Sequence, residues 1–328
     1  MTVRHRIVRC IIGLLAAVAF RAGAQGEAVP EPVAQALRAA DIPLSGVALF
    51  AQELGASKPF LNHQATQSMN PASVMKLLTT YSALELLGPA YTWRTELYGT
   101  RLDRDTVRGD LYIKGYGDPK LTMEQFWLLL RNLRQRGIRE ISGDFIIDNS
   151  YFESPGADPA AFDSQGHRAY NVLPQAVLLS FKAVSFRFVP DAQERIVRIY
   201  AEPDLKPLRI INKVVLKAGT CPFDWREPIE RDLDNGAQSA TVTFRGVFYA
   251  ECGERDMGLS VLANGEFAAA LFRQYWGELG GVFKGKVADG TLPVDARLLV
   301  SRQSPPLSEL MRDINKWSNN VMARHLLL

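Results

Sequence analysis

Apolar residues follow a helical spacing near both ends of the chain and alternate with polar residues in between. Apolar positions three and four residues apart predict helices over residues 71–87, 122–136, 267–279 and 306–328. Alternating runs bounded by glycine and aspartate turns predict strands, the clearest at 95–98, 110–114, 144–147, 196–200, 214–216 and 241–249. The pattern therefore predicts an α+β protein in which a β-rich insertion interrupts a helix-rich unit.

Residue types that start and stop helices support two of these predictions. Asn70 has the position of an N-cap for the first helix, with Pro71 at the first helical position and Gly88 after the last. Thr122 and Gln125 have the spacing of a capping box at the start of the second helix. We therefore expect both helices to begin close to these residues.

The first 24 residues have the layout of a secretory signal peptide. Arginines at positions 4, 6 and 9 precede an apolar run at 11–20, and small residues at 22–24 follow it, so cleavage is expected after Ala24. A membrane anchor is the alternative, but about ten apolar residues are too few to cross a bilayer, which needs about 20. We therefore expect export from the cytoplasm, with no transmembrane segment once the signal has been removed.

The formal charge of +3 belongs mainly to this signal. Removal of its four arginines from the 38 basic residues leaves 34 basic against 35 acidic residues, a formal charge of −1. A near-neutral mature chain gives no reason to expect a nucleic-acid partner. With 47% hydrophobic residues, the 328-residue chain is long enough for about two globular domains.

Two of the three cysteines, Cys221 and Cys252, remain after cleavage. Export brings them into an oxidising compartment, so a disulfide between them is expected, and two buried free thiols are the alternative. The three mature histidines are scattered, and the chain lacks the spacings of zinc-binding and nucleotide-binding motifs. We expect neither a metal ion nor an organic cofactor.

Ser73 and Lys76 form the sequence S-x-x-K near the start of the first predicted helix. The spacing puts both side chains on one face of that helix, one turn apart. A desolvated lysine that has lost its proton can accept the serine proton, which makes the hydroxyl a nucleophile without histidine. The start of a helix also favours a developing negative charge. Alone the motif is weak, because two common residues meet at this spacing about once per 300 residues by chance.

A second candidate is the triplet Ser318-Asn319-Asn320, which precedes a predicted helical segment. A hydroxyl and an amide two residues apart on a turn can point into one cleft, where the hydroxyl relays a proton and the amide binds a substrate carbonyl. The alternative is a helix cap, in which serine or asparagine binds a free backbone N–H. The triplet alone leaves both interpretations open.

Five segments resemble, in their order and rough spacing, the motifs of the low-molecular-weight class C penicillin-binding proteins. They are N-P-A-S-V-M-K at 70–76, G-D-L-Y-I-K-G-Y-G-D-P at 109–119, I-S-G-D-F-I-I-D-N-S-Y-F at 141–152, S-P-P-L at 304–307 and S-N-N at 318–320. The likeness extends from about residue 35 to residue 328. Members of this family are D-alanyl-D-alanine carboxypeptidases and endopeptidases of the periplasm. The resemblance implies that β-lactams inhibit this protein by acylating a serine.

The resemblance also implies a fold and a domain division. A transpeptidase-like domain, which is similar to a β-lactamase, is expected at 31–92 and 256–328, split by β-rich inserted domains at 93–255. The family's third motif, K-[ST]-G, is missing, and the nearest match at 217–219 precedes Ser318 and is expected to be a turn. The chain stops at Leu328 inside a predicted helix, so we expect that the C-terminal part of the catalytic domain is absent and that residues 1–328 alone are inactive.

Residue roles follow from the same resemblance. It implies that Ser73 is the acylated nucleophile, that Lys76 is its general base, and that Ser318 and Asn320 form the second active-site motif. The expected activity is removal of the terminal D-alanine from peptidoglycan stem peptides, with β-lactams as inhibitors. The alternatives are a serine β-lactamase and a non-catalytic protein that binds or regulates the wall. The residues indicate neither a monomer nor a dimer.

Overall fold

The computed structural model describes residues 29–153, 157–236 and 239–328, so the signal peptide predicted at 1–24 lies outside the described residues. The chain forms two compact units that divide after Ala72. In the first unit, helix α1 (Glu31–Ala39) is followed by an antiparallel pair of short strands, β1 (Leu49–Ala51) and β2 (Leu61–His63).

The second unit, residues 73–328, contains all the other α-helices and strands of the described chain. Its helices are α2 (Met75–Leu87), α3 (Met123–Gln135), α4 (Asn264–Glu278), α5 (Leu307–Trp317) and α6 (Asn320–His325). Its first strands are β3 (Arg94–Gly99), β4 (Leu102–Asp103), β5 (Thr106–Val107), β6 (Leu111–Gly115), β7 (Glu140–Ile141) and β8 (Phe145–Asp148). There follow β9 (Val184–Asp191), β10 (Ile196–Glu202), β11 (Leu208–Lys217), β12 (Ile229–Asn235), β13 (Ala240–Tyr249) and β14 (Arg255–Leu259). The last strands are β15 (Val282–Phe283), β16 (Val287–Asp289) and β17 (Arg297–Gln303).

A five-stranded sheet in the order β16-β8-β6-β3-β17 supports the main core. Strands β6, β8 and β16 run parallel, whereas β3 is antiparallel to both β6 and β17. Successive side chains of a strand point to opposite faces, so one face of the sheet presents the buried residues Leu97, Ile113 and Phe145. Helices α3 and α4 contribute to the same core, and the ring of Phe145 stacks on Phe272 of α4 at 3.9 Å between centroids.

These pairings disagree with the domain boundary expected between residues 255 and 256. Strand β16 pairs with β8, and β17 pairs with β3, so residues 287–303 complete a sheet that begins at Arg94. An insertion that ended at residue 255 would separate these strands from their hydrogen-bonding partners. Any unit that contains the whole of this sheet therefore includes residues 94–303, and α5 and α6 follow it in the described chain.

Two three-stranded sheets, β10-β9-β14 and β11-β13-β12, form the β-rich middle of the chain. Strand β11 pairs in parallel with β13, whereas the other neighbours in both sheets are antiparallel. Aromatic rings pack between the two sheets: Phe188 of β9 contacts Phe244 of β13, and also Trp225 in the turn before β12. Cys221 and Cys252 are joined in a disulfide whose Cα atoms lie 4.7 Å apart. The bond links the segment after β11 to the turn after β13.

A small cluster of buried side chains joins α2, α5 and α6. Its members are Ala83, Trp93, Leu307, Leu310, Ile314, Met322 and Ala323. The single helix expected over 306–328 is instead two helices, because Ser318 adopts a left-handed backbone with φ 54° and ψ 39°, which stops α5. Within the described residues, no helix combines the length and apolar character that a membrane span requires.

Candidate active site

Ser73 lies in a short 3-10 turn, Ala72–Val74, that leads into α2. The sequence predicts that Asn70 caps this helix, but α2 starts at Met75 and its N-cap residue, Val74, makes no side-chain cap. Asn70 accepts a hydrogen bond from the backbone N–H of Ala72 at 2.9 Å instead. Ala72 has φ 44°, so the backbone at this residue is left-handed and the helix begins after it. Ser73 is thereby presented in the turn, with an exposed side chain.

Lys76 lies between the two serines of the predicted site. Its ammonium donates a hydrogen bond to Ser73 Oγ at 3.1 Å and another to Ser318 Oγ at 3.3 Å. Lys76 is 9% exposed, whereas both serines are open to solvent. Two hydroxyls that are 245 positions apart in the sequence therefore meet at the amine of one lysine.

Burial lowers the pKa of the Lys76 ammonium, because the charged form loses hydration, and the positive charge of Arg324 lowers it further. Both causes favour the neutral amine, which can accept a proton. A neutral Lys76 within hydrogen-bond distance of Ser73 Oγ has the geometry that a general base needs.

The three residues of the S-x-N triplet, in the turn between α5 and α6, have different positions and hydrogen bonds. Ser318 has the left-handed backbone and its hydroxyl is bonded to Lys76. Asn319 caps α6, since its side-chain oxygen accepts the backbone N–H of Met322 at 3.0 Å. Asn320 is the first residue of α6 and is partly buried. The helix-cap interpretation therefore applies to the middle residue of the triplet and leaves the Ser318 hydroxyl available to the lysine.

Three residues near this site belong to none of the motifs read from the sequence. Thr80, one turn after Lys76, accepts a hydrogen bond from Asn315, three residues before Ser318. Arg324 supplies the charge that acts on Lys76. The only signal in the sequence for Thr80 and Asn315 is helical spacing. Thr80 follows Lys76 by four residues, and Asn315 precedes Ser318 by three. Arg324 has the same i+4 spacing from Asn320, but nothing in that spacing indicates that its charge acts on Lys76 of α2.

The near match to K-[ST]-G lies in the β-rich part of the chain. Lys217 is the last residue of β11 and pairs with Tyr249 of β13. Gly219, with φ 133°, lies in the bend that follows. Among the described residues, no group of three or more histidine, cysteine, aspartate or glutamate side chains is arranged to hold a metal ion.

The chain is similar to known D-alanyl-D-alanine carboxypeptidases. A family model described as the D-Ala-D-Ala carboxypeptidase 3 (S13) family matches residues 30–328. D-alanyl-D-alanine carboxypeptidase DacB of Haemophilus influenzae is 25% identical over 287 residues, which cover 86% of this chain and 58% of that protein. A D-alanyl-D-alanine carboxypeptidase of Actinomadura sp. (strain R39) is 27% identical over 278 residues, covering 79% and 49% respectively. The chain thus spans between about half and three fifths of the length of these relatives.

A solved structure shares the fold. The crystal structure of penicillin binding protein 4 (dacB) from Haemophilus influenzae aligns with a TM-score of 0.68 at 23% identity, over 85% of this chain and 61% of that one. A second structure of that protein, complexed with a β-lactam, aligns with a TM-score of 0.62 at 22% identity, over 85% and 59% of the two chains.

Proposed function

Because the chain belongs to the D-Ala-D-Ala carboxypeptidase 3 (S13) family, we propose that it contains the nucleophile of a serine-type D-Ala-D-Ala carboxypeptidase, and that this nucleophile is Ser73. Membership confirms the resemblance to the class C penicillin-binding proteins. The observation that carries the proposal is the Lys76 amine, which lies within hydrogen-bond distance of the hydroxyls of both Ser73 and Ser318.

The proposed reaction runs through an acyl-enzyme. Neutral Lys76 takes the proton of Ser73 Oγ while that oxygen attacks the carbonyl carbon of the terminal D-alanyl-D-alanine bond. The carbon–nitrogen bond breaks, and the leaving D-alanine amine receives a proton through Lys76 and Ser318. Water then attacks the ester, which releases the shortened peptide and returns the proton to Ser73. Asn320 is proposed to bind the substrate carbonyl through its side-chain amide.

The proposed substrate is the stem peptide of peptidoglycan, and D-alanyl cross-links are a second substrate of the same chemistry. β-Lactams would acylate Ser73 in the same way, because the strained lactam carbonyl takes the place of the scissile peptide. Export through the signal predicted at residues 1–24 would bring the enzyme to the periplasm, where this substrate lies.

The sequence 1–328 contains no K-[ST]-G triplet. In the family this motif lies on a strand that supplies one backbone N–H of the oxyanion hole, and loss of one such donor typically costs about 100-fold to 1,000-fold in rate. We therefore expect residues 1–328 alone to react with penicillin slowly or not at all.

The test is covalent labelling by a fluorescent penicillin, with mass spectrometry to locate the label. It is applied to residues 1–328 and to the complete product of the gene that encodes them, whatever the length of that product. We expect the complete product to be labelled at Ser73 and Ser73→Ala to abolish the label. Ser82→Ala is the matched control, because Ser82 is an exposed serine on the same helix.

Other outcomes would overturn parts of the proposal. A complete product that carries no label, or carries it on another residue, would contradict the role of Ser73. Stoichiometric labelling of residues 1–328 alone would contradict the need for K-[ST]-G. Rapid release of hydrolysed penicillin would instead favour a β-lactamase, because that class requires fast hydrolysis of the acyl-enzyme.

A further inference from the structure

A groove of about 500 Å³ opens on the β-rich part of the chain, between the segment at 165–168 and strand β12. We call it the arginine groove. Its lining includes Gln165, His167, Arg168, Arg226, Glu227 and Arg231. None of these residues belongs to the site around Lys76, so the groove calls for a separate explanation.

Hydrogen bonds to Gln165 and His167 orient the side chains of two of the arginines, Arg168 and Arg231. Gln165 Oε1 accepts from Arg168 Nε at 2.8 Å and from Arg231 Nη2 at 3.3 Å. Arg231 Nε donates to His167 Nε2 at 3.1 Å, which makes the histidine a neutral acceptor there. A guanidinium has five N–H donors, so both arginines keep most of theirs after these bonds. The two guanidiniums are thus oriented in advance of any ligand.

Positive charge in this cluster is not balanced by a direct ion pair. In the described part of the chain, neither Arg168 nor Arg231 has a carboxylate oxygen within 4 Å. Asp163 is nearby, but it accepts hydrogen bonds from the Tyr170 hydroxyl at 2.6 Å and the Asn171 amide at 2.7 Å. Burial, and then the charge of Arg168, lower the pKa of Arg231. Arg168 and Arg231 therefore have no direct anionic partner in the described part of the chain, although three acids line the groove beside its three arginines.

The remaining charges of the groove indicate which anion fits. Arg226 is paired with Asp224 at 3.5 Å, and Asp224, Glu227 and Glu230 are also among the residues that line the groove. These acids disfavour a ligand of high negative charge and offer partners for an ammonium group. A guanidinium matches the planar, two-oxygen face of a carboxylate.

We propose that the arginine groove binds a peptide carboxylate between Arg168 and Arg231, with an ammonium group of the same peptide beside Glu227 and Glu230. Stem peptides of the cell wall carry both kinds of group, and that identification of the ligand rests on the proposed function. The groove would then hold substrate away from Ser73, as a second attachment point.

The test is titration of the protein with L-alanyl-D-glutamate, a dipeptide with two carboxylates and one ammonium. Binding is followed by the NMR signals of the His167 ring, which His167→Gln identifies. We expect affinity on the order of 1 mM, at least tenfold weaker in Arg231→Gln. Arg187→Gln is the matched control, because this arginine lies on β9, outside the groove, and pairs with Asp256 at 3.0 Å. The dipeptide has no D-alanyl-D-alanine bond, so the result is independent of catalysis at Ser73.

A second variant and two further ligands complete the design. Arg168→Gln replaces Arg231→Gln if circular dichroism shows that the latter is unfolded. The diamide of the dipeptide, which has the same shape without the carboxylate charges, should not bind. The proposal is overturned if the diamide binds equally well, if both arginine variants bind like wild type, or if inorganic phosphate binds and the dipeptide does not.

Discussion

Asn315 donates a hydrogen bond from its side-chain nitrogen to Thr80 Oγ1 at 3.1 Å, and this bond links α5 to α2. Thr80 in turn donates to the backbone oxygen of Lys76 at 2.8 Å. Ser318 follows Asn315 by three residues and lies beyond the end of α5. The bond therefore helps to set the position of α5 along α2 at which the Ser318 hydroxyl reaches the lysine.

Asn315→Ala should slow the reaction of Ser73 with fluorescent penicillin. Removal of the amide should weaken the packing of α5 against α2 by about 1 kcal/mol. The resulting displacement of Ser318 from Lys76 should lower the labelling rate about tenfold. The measurement is the second-order labelling rate of the complete gene product. Arg312→Ala, an exposed position on the same helix, should leave the rate unchanged. An equal loss in both variants would show that α5 is merely sensitive to substitution.

Arg324→Gln should move the pH dependence of Ser73 labelling to higher pH. The arginine charge lowers the pKa of Lys76, so its removal raises that pKa and leaves less neutral amine at pH 7. Labelling should rise with pH in both proteins, with the midpoint at higher pH in the variant. Arg312→Gln removes the same charge from α5 and should not move the midpoint. A midpoint in Arg324→Gln equal to or below that of the wild type would contradict the assignment of Lys76 as the base.

Local sequence predicts some elements of this fold closely. The helix expected at 122–136 is α3, 123–135, because its signals are local: Thr122 accepts the backbone N–H of Gln125, and the apolar positions face the core. The break at Ser318 has one local signal, Asn319 as the cap of the following helix. The left-handed backbone of Ser318 has none, since it is unfavourable for serine and persists only where surrounding packing holds it.

The sheet partners and part of the candidate site also depend on contacts between distant residues. Nothing in the residues of β16 and β17 specifies that they pair with strands more than a hundred positions earlier, so the sequence does not predict the sheet that they complete. Ser73 and Lys76 could be read from their spacing, and Ser318 only from a family resemblance. Arg324 could not, because its effect on Lys76 is electrostatic and has no sequence pattern.

Replacement of both Cys221 and Cys252 by alanine should lower the free energy of unfolding. The bond closes a loop with a sequence separation of 31, and the entropy of such a loop corresponds to about 3–4 kcal/mol in the unfolded chain. Urea unfolding followed by tryptophan fluorescence measures the change. Reducing agent should destabilise the wild type by a similar amount and leave the double variant unaffected. A double variant that is still destabilised further by reducing agent would contradict the assignment of the effect to this bond.

Asp118→Asn should stabilise the protein above pH 6 and have little effect near pH 4. Burial raises the pKa of this carboxyl to about 6, against the opposing effect of the backbone N–H and the charge of Lys120. The folded state therefore binds more protons than the unfolded state between about pH 4 and pH 6, and stability falls as pH rises through that window. A shift of about two units corresponds to about 3 kcal/mol at pH 8, an upper value for the gain.

Asparagine keeps the oxygen that accepts the Lys120 N–H, so the substitution removes the buried charge and retains the hydrogen bond. The measurement is urea unfolding of wild type and variant at pH 4.5 and pH 8. Asp295→Asn, which removes an exposed carboxylate, should change stability by the same small amount at both values. If Asp118→Asn were more destabilising at pH 8 than at pH 4.5, the carboxylate charge would stabilise the folded state. That result would contradict the prediction, because it would mean that burial does not raise the pKa of Asp118.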